Sequence, residues 1–129
     1  MKKYYNQKTN LFENINQQKS YVLGFLWADG YIIKPRGYII ETTIKTTDFN
    51  NLYKIFEKIG DWKQYHRDRK SKQTGKIYKS SVIRYIGKET YNFLYEYDYK
   101  IKSDTQPLKI LDFIPKKYHK DFFPWLYRW

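Results

Sequence analysis

The chain has 129 residues, of which 25 are Lys or Arg and 13 are Asp or Glu, giving a formal net charge of +12. This length suits one domain with one modest core, and the absence of cysteine excludes disulfides and thiolate zinc sites. The positive charge favours a polyanionic partner, nucleic acid above all, without distinguishing DNA from RNA.

The sequence carries no pattern that directs it to a membrane. Its basic N-terminus is not followed by the apolar segment of a signal peptide. The longest apolar run, residues 21–28, is far shorter than the roughly 20 residues that a bilayer requires. We therefore expect a cytoplasmic protein.

The first half of the chain predicts a helix, a hairpin and a second helix. Residues 1–18 are polar and predict a flexible arm, and Ser20 is the expected N-cap of a helix that ends at Gly30. Residues 31–34 and 38–45 predict two strands joined by turn residues at 35–37. Thr47 or Asp48 caps the second helix, which Gly60 closes. Its apolar positions follow helical spacing: Leu52, Ile55, Phe56 and Ile59.

The second half predicts another hairpin, a third helix and a short C-terminal segment. Strands over 62–69 and 77–86 flank a polar turn at 71–76. The third helix, over 88–97, places Tyr91, Leu94 and Tyr95 on one face. An extended stretch follows over 108–114, and Pro115 opens a final short helix.

The alternation of helices and hairpins predicts a single α+β domain over residues 1–129. Four antiparallel strands would form one sheet, with helices packed on one face and the other face solvated.

Residues 22–30, VLGFLWADG, resemble the signature of the LAGLIDADG homing endonucleases. The identical positions are Gly24, Ala28, Asp29 and Gly30, and the conservative ones are Val22, Phe25 and Leu26. Leu23 and Trp27 depart from the pattern, Trp27 at its first aspartate, whereas Asp29 stands at the second, catalytic aspartate. The αββαββα core of that family has the order of elements predicted here, and the resemblance covers the chain roughly from Ser20 onward.

This resemblance implies a metal-dependent endonuclease that acts on double-stranded DNA. Asp29 would be catalytic and would bind Mg²⁺ together with the backbone carbonyl of Ala28, since this ion prefers carboxylates, waters and phosphate oxygens. Lys102, just before Ser103, is the best candidate for the family lysine that helps organise the hydrolytic water or stabilise the phosphate. A turn after a helix and a solvated surface lysine are the ordinary alternatives for Asp29 and Lys102.

One signature supplies only half of such a site. Gly24 and Ala28 lie four residues apart on one helix face, where small side chains let a second helix approach closely. We expect them in a dimer interface, with a second copy of the chain or a second LAGLIDADG half as the partner. The alternative for Gly24 is packing against the sheet.

The hairpins carry residues suited to DNA recognition. Tyr65, Arg67 and Arg69 alternate along one strand, so they share a sheet face, and such a ribbon can enter the major groove. Lys79 and Arg84 cannot both lie on that face if their strand is regular. The predicted DNA-binding residues are Lys34, Arg36, Lys45, Lys63, Tyr65, Arg67, Arg69, Lys72, Lys76, Lys79 and Arg84.

Residues 115–129 are predicted to be a degenerate or truncated second signature. Residues 119–123, HKDFF, resemble the run that introduces a second motif, and residues 124–129 then depart from it. A permitted set of codons for 124–129, shifted by one base, encodes Arg-Gly-Tyr-Ile-Asp-Gly, which suits that motif. We hypothesise a frameshift, which the nucleotide sequence of the gene would test. An ordinary aromatic helix is the alternative.

Three functions are compatible with these patterns. The first is a homodimeric, Mg²⁺-dependent DNA endonuclease associated with DNA in the cell. The second is a DNA-binding protein of the same fold that does not cleave, such as a repressor, a maturase-like protein or a remnant. The third is an unrelated basic RNA-binding domain, in which Asp29 only ends a helix.

Overall fold

The computed structural model describes residues 10–34, 37–45 and 49–123, except for the side chains of residues 45, 49, 50, 67–69, 78 and 79. Some predictions lie outside the described residues. They concern the first nine residues of the arm predicted over 1–18, Arg36, the cap at Thr47 or Asp48, and the segment 124–129. From residue 10 onward the segment predicted as an arm is structured: Leu11 and Phe12 are buried in the core, and a helix begins at Gln17.

Helices and strands follow one another in the order expected of an α+β domain. The first seven elements are α1 (Gln17–Asp29), β1 (Gly30–Ile33), β2 (Ile39–Lys45), α2 (Phe49–Ile59), β3 (Lys63–Lys70), β4 (Ile77–Ile86) and α3 (Lys88–Glu96). After them come a 3₁₀ turn at Tyr99–Ile101, α4 (Leu108–Phe113), a second 3₁₀ turn at Lys116–Tyr118, and α5 (His119–Phe122). The predicted fold class is confirmed, and a short helix does follow Pro115.

The strands form one antiparallel sheet in the order β1-β2-β4-β3, so the second strand of each hairpin lies at its centre. Side chains alternate between the two faces of the sheet. Ile40, Ile83 and Tyr85 are buried among the apolar residues of the helices. The opposite surface, which we call the open face, carries Tyr31, Glu41, Lys63, Tyr65 and Arg84, as the register of the strands places them.

Helix α1 runs through the core, and residues 22–27 are all buried. A helix that is apolar all round is a core helix, and α1 packs against α2, α5 and the sheet. Its Phe25 ring meets Phe56 of α2 edge to face, with centroids 5.7 Å apart. Its last residue, Asp29, is exposed, so the buried helix α1 ends with a carboxylate at the surface. Among the described helices, none is long and apolar enough to cross a membrane.

Helix α1 begins one turn earlier than predicted, and Asn16 rather than Ser20 is its N-cap. The Asn16 side chain accepts a hydrogen bond from the Lys19 N–H at 2.8 Å, which satisfies a donor that the first turn leaves unpaired. The Ser20 hydroxyl instead donates to the Asn16 carbonyl at 2.8 Å. Both residue types favour the cap, and the buried contacts of α1 decide between them.

Residues 108–113 form a helix that Ile114 caps, in place of the extended stretch that we predicted over 108–114. The Leu111 N–H donates to the Pro107 carbonyl and the Ile114 N–H to the Ile110 carbonyl, at 3.1 and 3.0 Å. Ile110 and Ile114, four residues apart, are the two that are fully buried. Leu108 is exposed, so the segment has helical rather than alternating periodicity.

Helix α3 buries a different face from the one predicted. Tyr91 and Leu94 are buried, but Tyr95 is 53% exposed. Phe93 takes the inner position and packs against Phe12 and Phe113, with ring centroids 5.8 and 5.0 Å away.

Candidate functional site

Asp29 lies where the unpaired carbonyl groups of α1 give the helix end a partial negative charge. Its side chain is exposed, and its backbone carbonyl accepts a hydrogen bond from the Thr42 hydroxyl of β2 at 3.4 Å. The last turn of α1, which is fully described, contains no basic residue that would offset this charge. A carboxylate at this end of a helix is unfavourable unless a positive charge lies near it, and Lys102 provides such a charge.

The end of α1 is fixed by Tyr99, which is 1% exposed. Its hydroxyl donates to the Leu26 carbonyl at 2.7 Å, and its ring meets Trp27 edge to face at 5.0 Å. A Cβ atom on Gly30 would lie 2.5 Å from that hydroxyl, so only glycine allows the close approach. Burial raises the pKa of Tyr99 well above its ordinary value, which keeps the hydroxyl a donor.

Lys102 reaches the same end of the molecule from the segment after α3. Its Nζ atom lies 5.3 Å from the centroid of the Tyr99 ring, a cation–π arrangement. Burial lowers the pKa of Lys102 below its ordinary value, while the nearby charge of Asp29 acts in the opposite direction. A cleft of about 240 Å³ opens here, lined by Gly30, Tyr31, Ile32, Tyr99, Lys100, Lys102 and Ser103.

The predicted metal ligands at this site are the Asp29 carboxylate and the Ala28 carbonyl. Within residues 10–34, 37–45 and 49–123, no three His, Asp or Glu side chains are grouped so that they could hold a metal ion. Mg²⁺ in phosphate chemistry takes one or two carboxylates together with waters and phosphate oxygens. Asp29 and the Ala28 carbonyl stay the predicted ligands, and a metal held by them would take its other ligands from waters, a phosphate or a partner.

The close approach predicted at Gly24 is made by a helix of the same chain. A Cβ atom on Gly24 would lie 2.9 Å from the Phe122 Cα and would overlap its carbonyl oxygen. Beside this contact, Trp27 and Phe122 pack with ring centroids 6.0 Å apart. Gly24 is thus covered by α5, which belongs to the segment interpreted as the start of a second signature, and the dimer interface at Gly24 stays a prediction. Ala28 is half-buried.

The open face carries a hydrogen-bonded group centred on Glu41, which is 1% exposed. Glu41 Oε1 accepts a hydrogen bond from the Tyr31 hydroxyl at 2.6 Å, and Oε2 accepts one from the Tyr65 hydroxyl at 2.8 Å. Arg84 donates to Oε2 and forms an ion pair with it. Burial by itself would raise the pKa of Glu41, but these three donors and the charge of Arg84 lower it below its ordinary value.

Some of the predicted DNA-binding residues have side chains that the structure describes, and three of these residues lie on the open face. Lys63, Tyr65 and Arg84 lie there, and Lys63 also pairs with Asp61 at 3.2 Å. The exposed residues Lys72 and Lys76 lie between β3 and β4, and Lys34 follows β1. Arg36 and the side chains of Lys45, Arg67, Arg69 and Lys79 lie outside the described residues.

Sequence reasoning missed Tyr31, Glu41 and Tyr99. A signal for Glu41 was present, because it is a lone acidic residue between Ile40 and Thr42 in a strand made largely of β-branched residues. Tyr99 had no comparable signal in a chain with 15 tyrosines.

We expect Tyr99→Phe to lower the free energy of unfolding by about 1 kcal/mol, because one buried hydrogen bond is lost while the Leu26 carbonyl keeps the Gly30 N–H as a donor. Urea unfolding would measure the change. Tyr95→Phe is the matched control, since that tyrosine is exposed. An equal loss in the two variants would contradict the anchoring role.

The lowered pKa of Glu41 makes part of the stability depend on pH. A carboxylate whose pKa is lower when folded stabilises the protein above its unfolded pKa, and this contribution is lost as the pH falls through the folded value. We expect the stability advantage of the wild type over Glu41→Gln to be largest near neutral pH and to shrink below the ordinary value of 4.5. Urea unfolding across this pH range measures it, with Glu96→Gln, an exposed carboxylate, as the control. An advantage that does not change with pH would contradict the assignment.

No protein-family model and no curated protein matches this chain. Among solved structures, the chain is similar to the homing endonuclease I-WcaI bound to its DNA recognition sequence, with a TM-score of 0.58 and 19% sequence identity. The match covers 95% of this chain and 54% of that one, so the chain spans about half the length of the neighbour. At this identity the likeness concerns the fold, and it agrees with the α+β architecture described above.

Proposed function

We propose that this protein binds double-stranded DNA at specific sites and hydrolyses its phosphodiester bonds as one half of a LAGLIDADG-type homing endonuclease. The observation that carries the proposal is the exposed Asp29 at the end of the buried helix α1, beside the half-buried Lys102. This acidic position stands out in a chain whose net charge is +12. The fold that the chain shares with a DNA-bound homing endonuclease supports the same reading.

Each residue of the site has a defined part in this proposal. Asp29, with the Ala28 carbonyl, would hold a divalent metal such as Mg²⁺, which when bound supplies positive charge at the scissile phosphate. Lys102 would orient the attacking water or donate to a phosphate oxygen from the wall of the cleft. Tyr99 fixes both, since it is bonded to the end of α1 and lies under the Lys102 ammonium.

The DNA would lie against the open face of the sheet. This surface presents Lys63, Tyr65 and Arg84, with Lys72 and Lys76 at the turn beyond it. Phosphate contacts from such lysines give affinity, and side chains on the strands can reach base edges in the major groove. Such an arrangement suits a protein that combines general attraction to DNA with selection of a site.

A complete site requires a second carboxylate from a partner. A homodimer would provide a second Asp29, and a second LAGLIDADG half would provide its equivalent. The packing of α5 on Gly24 affects either kind of partner, because α5 already covers part of the α1 surface that a second copy or a second half would use. A partner packed on this part of α1 would require α5 to move away.

A non-cleaving DNA-binding protein on the same fold is the second candidate. It is favoured by the covering of Gly24 by α5 and by the described residues, which include no group of three His, Asp or Glu side chains that could hold a metal ion. In this case the protein would bind a particular duplex sequence but would not cleave it, whichever divalent metal is added.

Selection from a randomised duplex library tests both candidates. We expect the wild type to bind particular duplexes in preference to single-stranded and structured RNA. It should cleave these duplexes with Mg²⁺ but not with excess EDTA. Binding without cleavage at any protein concentration would favour the second candidate. A preference for structured RNA over every duplex would overturn the proposal.

A further inference from the structure

The Glu41 carboxylate on the open face is fully engaged by the protein itself. It is buried to 1% exposure, and Tyr31, Tyr65 and Arg84 are its three donors. A buried carboxylate is costly unless it is paired and hydrogen-bonded, and this one has both kinds of compensation. It also has little capacity left to meet a ligand, so the group that the cluster turns outward is Arg84, whose side chain is 32% exposed.

The guanidinium of Arg84 is held on one edge and at one face. Its Nε donates to Glu41, and its Nη2 donates to the Tyr65 hydroxyl at 2.5 Å and pairs with Glu41. The ring of Tyr65 lies 4.9 Å from the guanidinium carbon, a cation–π contact. The Tyr65 hydroxyl thus accepts from Arg84 and donates to Glu41, which closes the group on itself.

The remaining edge of the guanidinium is available to a ligand. Nη1 makes no hydrogen bond to any residue in the described part of the chain, although it carries two N–H groups. A long side chain normally loses conformational entropy on binding, and this cost is reduced when the side chain is already fixed. The residue is therefore prepared for one directional contact rather than for general attraction to phosphate.

We propose that Arg84 is a specificity-determining residue that reads a guanine in the major groove, with Glu41 and Tyr65 as positioning residues that aim its guanidinium. Guanine presents two adjacent acceptors, O6 and N7, to which the two N–H groups of Nη1 can donate. A carboxylate that faced DNA only as a charge would repel phosphates, whereas one that orients an arginine contributes to selection. The inference rests on the proposed binding of duplex DNA.

The test compares base preferences selected from a randomised duplex library by the wild type, Arg84→Lys and Glu41→Gln. For the wild type, we expect one G·C pair whose replacement lowers affinity about tenfold or more, and we expect this preference to fall below about threefold in both variants. Affinity for DNA of mixed sequence should stay within about threefold in both variants, since Arg84→Lys keeps its charge and Glu41→Gln removes a negative one.

Two further variants separate this role from simple stability or charge. Tyr65→Phe keeps the ring and removes only the bridging hydroxyl, so it should weaken the same base preference in a protein whose fold is checked by circular dichroism. Lys72→Ala should lower affinity for all duplexes alike and leave the preference intact. If the wild type selects sequences and every variant keeps the same preference, the inference fails and the proposed function stands. If the wild type selects no duplex at all, both fail.

Discussion

Asp29→Asn is expected to abolish cleavage of the selected duplex, lowering the single-turnover rate by about a thousandfold or more, because charge stabilisation by a metal contributes several kcal/mol to such reactions. The amide is nearly the same size but cannot carry the negative charge that attracts a cation. Asp29 is exposed and outside the core, so the variant should fold normally and bind the same duplex. Gel shift and single-turnover cleavage with Mg²⁺ measure the two properties separately.

The control for this variant is Asp112→Asn, an exposed carboxylate on α4. It removes the same charge at a distance from the cleft, so any general gain in DNA affinity is matched. We expect its cleavage rate to equal that of the wild type. Cleavage by Asp29→Asn at an undiminished rate would refute the assignment of Asp29, whatever the behaviour of the control.

Gly24→Ala should destabilise the protein by about 2 kcal/mol, the range typical of overpacking a well-filled core. The added methyl group would overlap the backbone carbonyl of Phe122, and a backbone cannot give way as a side chain can. The intrinsic preference of a helix for alanine opposes the effect by about 1 kcal/mol, so the net loss measures how rigidly α5 is held. Urea unfolding monitored by tryptophan fluorescence gives the value.

Gly60→Ala is the matched comparison for this substitution. A methyl group there also meets a close neighbour, but that neighbour is the terminal methyl of Leu11, which can rotate aside. We expect a loss below about 1 kcal/mol at this position. Equal losses at the two glycines would mean that α5 does not constrain α1 in the way described.

The order of elements could be predicted from the sequence because helices and strands each have a characteristic spacing of apolar residues. The first hairpin appears as β-branched runs around turn residues, and the second as a basic, aromatic strand and its partner around a polar turn. The bounds of β4 were predicted as found. The segment over 108–114 was misjudged because its short apolar pattern fits either structure, and the burial of Ile110 and Ile114 four residues apart decides for a helix.

The candidate site was predictable only where one residue stands out in its own segment. Asp29 did so, as a carboxylate at the end of an apolar helix. The group around Glu41 did not, because it depends on the register between β2 and β4, which pairs Glu41 with Arg84 across 43 positions. Tyr99 meets the Leu26 carbonyl from 73 positions away. Such contacts are set by tertiary packing, which local patterns do not encode.

The anchoring of α1 by Tyr99 and α5 also has a consequence during synthesis. Both contacts come from the last third of the chain, whereas Asp29 is made in the first third. A chain emerging from the ribosome would expose the apolar surface of α1 until these later residues arrive, and contacts so distant in sequence form slowly. The end of α1 therefore reaches its final geometry late, so that a growing chain presents Asp29 before Tyr99 and Phe122 have anchored its helix.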